Sequence, residues 1–285
     1  MNTGERRQGV AAYGGPDRDN AWGRQKVLAL LVAGALAGVL LLVGLGLAVY
    51  YAIDPSPTAG TAAASVRPQA AAIGPRLPGD AQRTRRDDLA AAPMRPAQAS
   101  DAQPSVLSTR DPGSIVLPRS TTGGPAGVPA GFAHTPAGAL AQLAAIDTAA
   151  LDSASVGGAR AVIDRWAAPG GPTGQTWSGV LAMADFLSAA GLSAGKPPDL
   201  ALVATPLMGL VKATDGGDWV VACVDFEVDA TLARTARVAV ADCQRMAWAG
   251  NRWVVGPGAE PAPAPSIWPG TDASIDAGYK ELRSE

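Results

Sequence analysis

The chain has 285 residues with 23 Lys and Arg against 25 Asp and Glu, a net charge of -2, one histidine and two cysteines. From Gly131 onward acids exceed bases, 8 to 11 up to Gly256 and 2 to 5 beyond it. An acidic balance there excludes electrostatic capture of DNA or RNA phosphates, which needs a basic surface, so no direct nucleic-acid partner is expected. One histidine and two cysteines are too few for a zinc site built from Cys and His, and no metal or other cofactor is expected.

Residues 1–26 form a short basic tail, carrying Arg6, Arg7, Arg18, Arg24 and Lys26. Val27 to Ile53 then runs for 27 residues without a charge, a proline or an amide side chain. At about 1.5 Å per residue such a helix covers a hydrocarbon core about 30 Å thick. The run is too long for the apolar region of a signal peptide, about 7 to 15 residues, and reads as an uncleaved anchor. Basic residues on its N-terminal side alone predict a cytoplasmic N-terminus and an extracytoplasmic remainder: a single-pass protein of the cell membrane. Gly34 and Gly38, four residues apart within the run, mark a candidate face for helix dimerisation.

Asp54 to Ala130 contains 12 prolines and no aromatic residue. Such a composition buries too little apolar surface to offset the entropy of ordering, which predicts a disordered stalk over 54–130. Within it, Ser114 to Leu117 is a candidate edge strand.

Residues 131–256 are expected to form an extracytoplasmic α+β domain. Thr135 followed by Pro136 is a helix start, since threonine caps a free N–H and proline suits the first helical position. Two more helices are expected at Val156 to Ala168 and Thr176 to Ala190, the last stopped by Gly191. After Pro197 and Pro198 the pattern becomes strand-like, at Leu200 to Ala213, Asp218 to Val228, Ala236 to Trp248 and Arg252 to Val255. The expected sheet is a four-stranded antiparallel meander, with Pro206 bending the first strand or placing it at an edge. Alternation puts Val220, Ala222, Val224, Phe226 and Val228 on the core face of the second strand, and Trp219, Val221, Cys223, Asp225 and Glu227 on a solvated or partner-contacting face. Residues 257–285 form a tail that either packs back or stays mobile.

If Val228 pairs with Val238, the same register places Cys223 opposite Cys243, and the two form either a cross-strand disulfide or a pair of buried thiols. Elsewhere the chemistry is sparse. His134 precedes the helix cap with no nucleophile or metal ligands around it in sequence, so a structural loop role is expected. Asp225 and Glu227 share a strand face but can be neutralised by Arg237 or Arg245. No catalytic residue is assigned, and the chain is not expected to be an enzyme.

The order of tail, membrane helix, stalk and helices-then-meander domain resembles the bitopic assembly subunits of type IV secretion and conjugation channels. Gly131, Phe132, Ala133, His134, Thr135, Pro136, Ala137, Gly138, Ala139 and Leu140, with Gly250, Asn251, Arg252, Trp253, Val254 and Val255, look like the start and terminal strand of outer domains in membrane proteins of actinobacterial mobile elements. The resemblance implies a cone-like outer domain of the nuclear-transport-factor-2-like fold. It also implies a membrane-anchored scaffold, dimeric or larger, that contacts other envelope or transfer-apparatus proteins. The alternative expectation is an extracytoplasmic domain that binds a small molecule or lipid in the cone.

Overall fold

A computed structural model describes residues 78–192 and 197–285. The expected membrane helix, with Gly34 and Gly38, lies outside those residues. Among the described residues no helix is long and apolar enough to cross a membrane. The expectation of a single-pass membrane protein thus meets no spanning helix in the structure described, whose helices serve a folded domain.

In chain order the elements are α1 (Pro78–Ala91), a 3-10 turn (Ala99–Ala102), β1 (Ser114–Leu117), β2 (Thr122–Gly123), a second 3-10 turn (Pro125–Gly127) and β3 (Pro129–Ala130). Then come α2 (Pro136–Asp152), α3 (Val156–Trp166), α4 (Ser178–Ala189), β4 (Ala201–Thr214), β5 (Trp219–Thr231), β6 (Thr235–Ala249), β7 (Arg252–Val255), α5 (Asp272–Asp276) and β8 (Lys280–Ser284). Six strands form one sheet in the order β1-β8-β4-β5-β6-β7, curled into a half-barrel.

The expected four-stranded antiparallel meander is thus corrected to a six-stranded mixed sheet. β4 to β7 do run antiparallel, but β8 adds to β4 at Met208 and Gly209, and β1 then pairs parallel with β8. Pro206 marks where this becomes possible. It cannot donate to a ladder, and the register of β4 slips between Pro206 and Met208, just where β8 joins. At Gly209 a side chain would press on Leu282 of β8 and Leu140 of α2, so glycine permits the close approach of both.

Helix starts follow local chemistry. The Thr135 side chain accepts from the Gly138 N–H at 3.1 Å, and Ser155 accepts from the Gly158 N–H at 3.0 Å. Gly191, with φ +69°, closes α4 in the left-handed conformation. Leu140, Leu143, Ile146, Ile163, Trp166 and Leu187 from these helices meet Val220, Ala222, Val224, Phe226 and Val228 of β5 in the main core.

The other face of β5 is also covered, which overturns the solvated-face reading and, for residues 78–130, the disordered stalk. Trp219, Val221, Cys223 and Asp225 are all buried. From the N-terminal side, α1 brings Ala90 against Trp219 and Val221, while Arg86 lies 2.7 Å from Asp215 and Asp87 lies 2.6 Å from buried Arg245. From the C-terminal side, Ile267, Trp268 and Tyr279 are buried, so the tail packs back. The two covering segments also bond to each other, Ala262 N–H to the Ala90 carbonyl at 3.0 Å and Trp268 N–H to the Asp101 carbonyl at 2.7 Å. Proline-rich chain stays extended, and here it lies across a sheet face that supplies the apolar partners its own composition lacks.

Cys223 pairs with Cys243 in the β5–β6 register and the two are joined by a disulfide. Met94, from the segment after α1, sets its sulfur 3.6 Å from Cys243 Sγ and 3.9 Å from Cys223 Sγ. The bridge spans 20 residues. In the chain-entropy account, reduction or paired replacement by serine should cost about 3 kcal/mol, read as a lower urea midpoint in equilibrium unfolding.

Candidate functional site

Where α2, α4 and β6 meet the segment leading away from β7, a cavity of about 170 Å³ is left in the concave side of the sheet. β7 is short and pairs only with Met246 to Ala249, so the earlier part of β6 has no further strand beside it. The chain after β7 passes that open side instead, and Ser266 Oγ accepts the Ala241 N–H at 2.9 Å. Leu151, Met183, Phe226, Val240 and Pro261 line the space with apolar surface.

Three carboxyls from three elements break this apolar lining: Asp147 of α2, Asp242 of β6 and Glu260 of the returning segment. Asp147 is 4% exposed, and neither of its oxygens has a hydrogen-bond partner. Burial pushes its carboxyl well above the usual range, and the negative charges of Asp242 and Glu260 push in the same direction. Asp242 is half-buried and is pushed up to about 6, by burial first and by Glu260 next. Gln244 opposes that rise by donating to it at 3.0 Å, as does the Cys243 backbone N–H. The Trp177 indole N–H also favours the charged form of Asp242 without reaching hydrogen-bond geometry, and it has no other partner. Glu260 accepts the Ser178 N–H at the start of α4, at 2.9 Å. Among the described residues no lysine, arginine or histidine lines the cavity.

Of the candidate site residues singled out in the sequence, Cys243 borders the cavity through its place on β6, and the other described ones fall elsewhere. His134 is partly exposed; its Nε2 lies 2.8 Å from Asp218 Oδ1, and its ring stacks on Trp248 with centroids 4.1 Å apart. It holds the chain before α2 to the end of the sheet. Asp225 and Glu227 are not a working pair: Glu227 meets Arg237 at 3.0 Å, while Asp225 is fully buried beneath the C-terminal segment. Among the described residues no group of three His, Cys, Asp or Glu is arranged to hold a metal ion.

The cavity acids carry a sequence signal that was passed over. Asp147 stands on the helical stripe of Leu140, Leu143 and Ala150, and Asp242 stands in phase with Val238, Val240 and Met246. A lone acid in an otherwise apolar phase is a buried acid. Glu260, in a Pro/Ala-rich stretch, has no such pattern.

No protein-family model, curated protein or solved structure matches the chain. The conjugation or secretion apparatus expected from element order accordingly has no support from any relative.

Asp225 gives the fold a pH dependence of its own. Burial pushes its carboxyl up to about 9, offset in part by the nearby Ile267 backbone N–H. The folded state then binds more protons than the unfolded state from about pH 4 to about pH 9, so stability falls as pH rises through that window. Asp225→Asn should flatten that fall by up to about 1.4 kcal/mol per pH unit and raise stability at neutral pH, measured by urea unfolding at stepped pH. Asp147 and Asp242 tilt stability the same way and leave the remaining slope.

Proposed function

We propose that this domain binds a small, largely apolar molecule in the cavity between α2, α4, β6 and the segment after β7. The observation that carries the reading is Asp147, a buried carboxyl with no partner, set in the wall of an apolar space. Leaving a buried polar group unpaired costs roughly 1–3 kcal/mol, and Asp147, unlike the equally unpartnered Asp225, borders a space in which another molecule can pair it. A pocket of mostly apolar lining with a few converging polar groups is the usual form of a ligand site. Its volume, about 170 Å³, is close to the roughly 150 Å³ that admits a benzene ring, which sets the size of the occupant near a single ring.

Trp177 lies in the lining and reports on occupancy. Single-ring compounds are expected to shift the tryptophan emission in a saturable way and to raise the melting temperature with concentration. Ala150→Leu, which fills the space from α2, should abolish both effects while the protein stays folded. A panel of such compounds that leaves emission and melting temperature unchanged would refute the reading.

A further inference from the structure

We infer that the occupant of this cavity is a protonated amine on a compact apolar body. The inference rests on the binding reading above and adds the chemical class. Three carboxyls converge from α2, β6 and the segment after β7, and among the described residues no basic side chain lines the space to balance them. Asp242 and Glu260 both raise the cost of ionising Asp147, and Glu260 raises that of Asp242. The site therefore lacks one thing, a positive charge bearing several N–H donors.

An ammonium group supplies both at once. It has three donors where Asp147 leaves two oxygens unpartnered, and charge-assisted hydrogen bonds are the stronger kind. Trp177 and Phe226 in the lining offer aromatic faces that attract a cation. A neutral ligand brings no charge to offset the carboxyls, and an anion adds to the repulsion. Two carboxyls are already used in part, Glu260 by the Ser178 N–H and Asp242 by Gln244, so the free acceptor at the buried end is Asp147.

Proton balance follows from this arrangement. A carboxylic acid at Asp147 or Asp242 that pairs with an incoming ammonium gives up its proton to solvent, and the complex is a carboxylate with an ammonium. The titratable groups facing the ligand are Asp147 from α2, Asp242 from β6 and Glu260 from the returning segment. α4 and β5 present none to the cavity, and Tyr279, which feels Asp242, stands in the layer on the other side of the sheet. Amine binding should accordingly strengthen as pH rises from 5 to 8.

Isothermal titration of the full chain with benzylamine, benzyl alcohol and benzoate, in buffers of differing ionisation enthalpy, tests this directly. Benzylamine is expected to bind at least about tenfold more tightly than benzyl alcohol at pH 8, the value of one good charge-assisted contact, with proton release and a gap that narrows toward pH 5. Benzoate should not bind. Asp147→Asn, which keeps the shape, should collapse the ratio of benzylamine to benzyl alcohol affinity from at least about tenfold to about twofold or less; Asp242→Asn provides a second reading of that ratio if the first variant misfolds. Benzyl alcohol binding as tightly as benzylamine would overturn the amine while the cavity remained a binding site. Failure of all three probes would overturn the amine and the binding site together.

Discussion

Everything in this domain is arranged around a strand that must be kept from water on both sides. β5 carries Val220, Ala222, Val224 and Phe226 toward the three helices and Trp219, Val221, Cys223 and Asp225 away from them, and all of these are buried. Two layers are therefore required. The helices α2 to α4 supply one, and α1 with proline-rich chain from before and after the central elements supplies the other. Residues so poor in aromatic side chains could not form that second layer alone; they form it because the sheet presents the hydrophobic surface and the C-terminal segment brings Ile267, Trp268 and Tyr279 into it.

The same constraint locates the polar chemistry. A sheet closed by strands on one side but bordered by chain on the other leaves a gap along β6, and the carboxyls of Asp147, Asp242 and Glu260 collect there. Asp225, across the sheet, shows what happens without an opening: its acid is simply driven toward the neutral form. Two buried acids of one chain thus differ in meaning because only one borders a space large enough for another molecule.

What was legible in the sequence is local. Thr135 and Pro136 start α2, Gly191 ends α4, and the alternation of β5 and β6 fixes the register that sets Cys223 against Cys243. What was illegible depends on segments far apart. β1 and β8 are short, and neither shows its partner, because Ser114 meets Glu281 only after the rest of the sheet exists. The apolar character of the second face of β5, with Trp219, Val221 and Cys223, was visible, but it read as alternation with charge because Asp225 and Glu227 lie in the same phase. Asp147 is the opposite case: its place on the stripe of Leu140 and Leu143 marks the apolar side, but whether an aspartate in an alanine-rich helix is buried is decided by the tertiary neighbours of α2.

The parallel pair of β1 and β8 carries a kinetic consequence. β1 lies ahead of all three core helices, yet its only ladder partner follows β7 and α5, so the edge of the sheet closes across a loop containing nearly the whole domain. Contacts of such long sequence separation form late, after the hairpins of β4 to β7 have condensed. During synthesis on a ribosome, the part of the second face of β5 that the C-terminal segment covers, around Cys223 and Asp225, would stay partly open until the final residues emerge. A cell making this protein would need to shield that surface for longer than it shields the helical side.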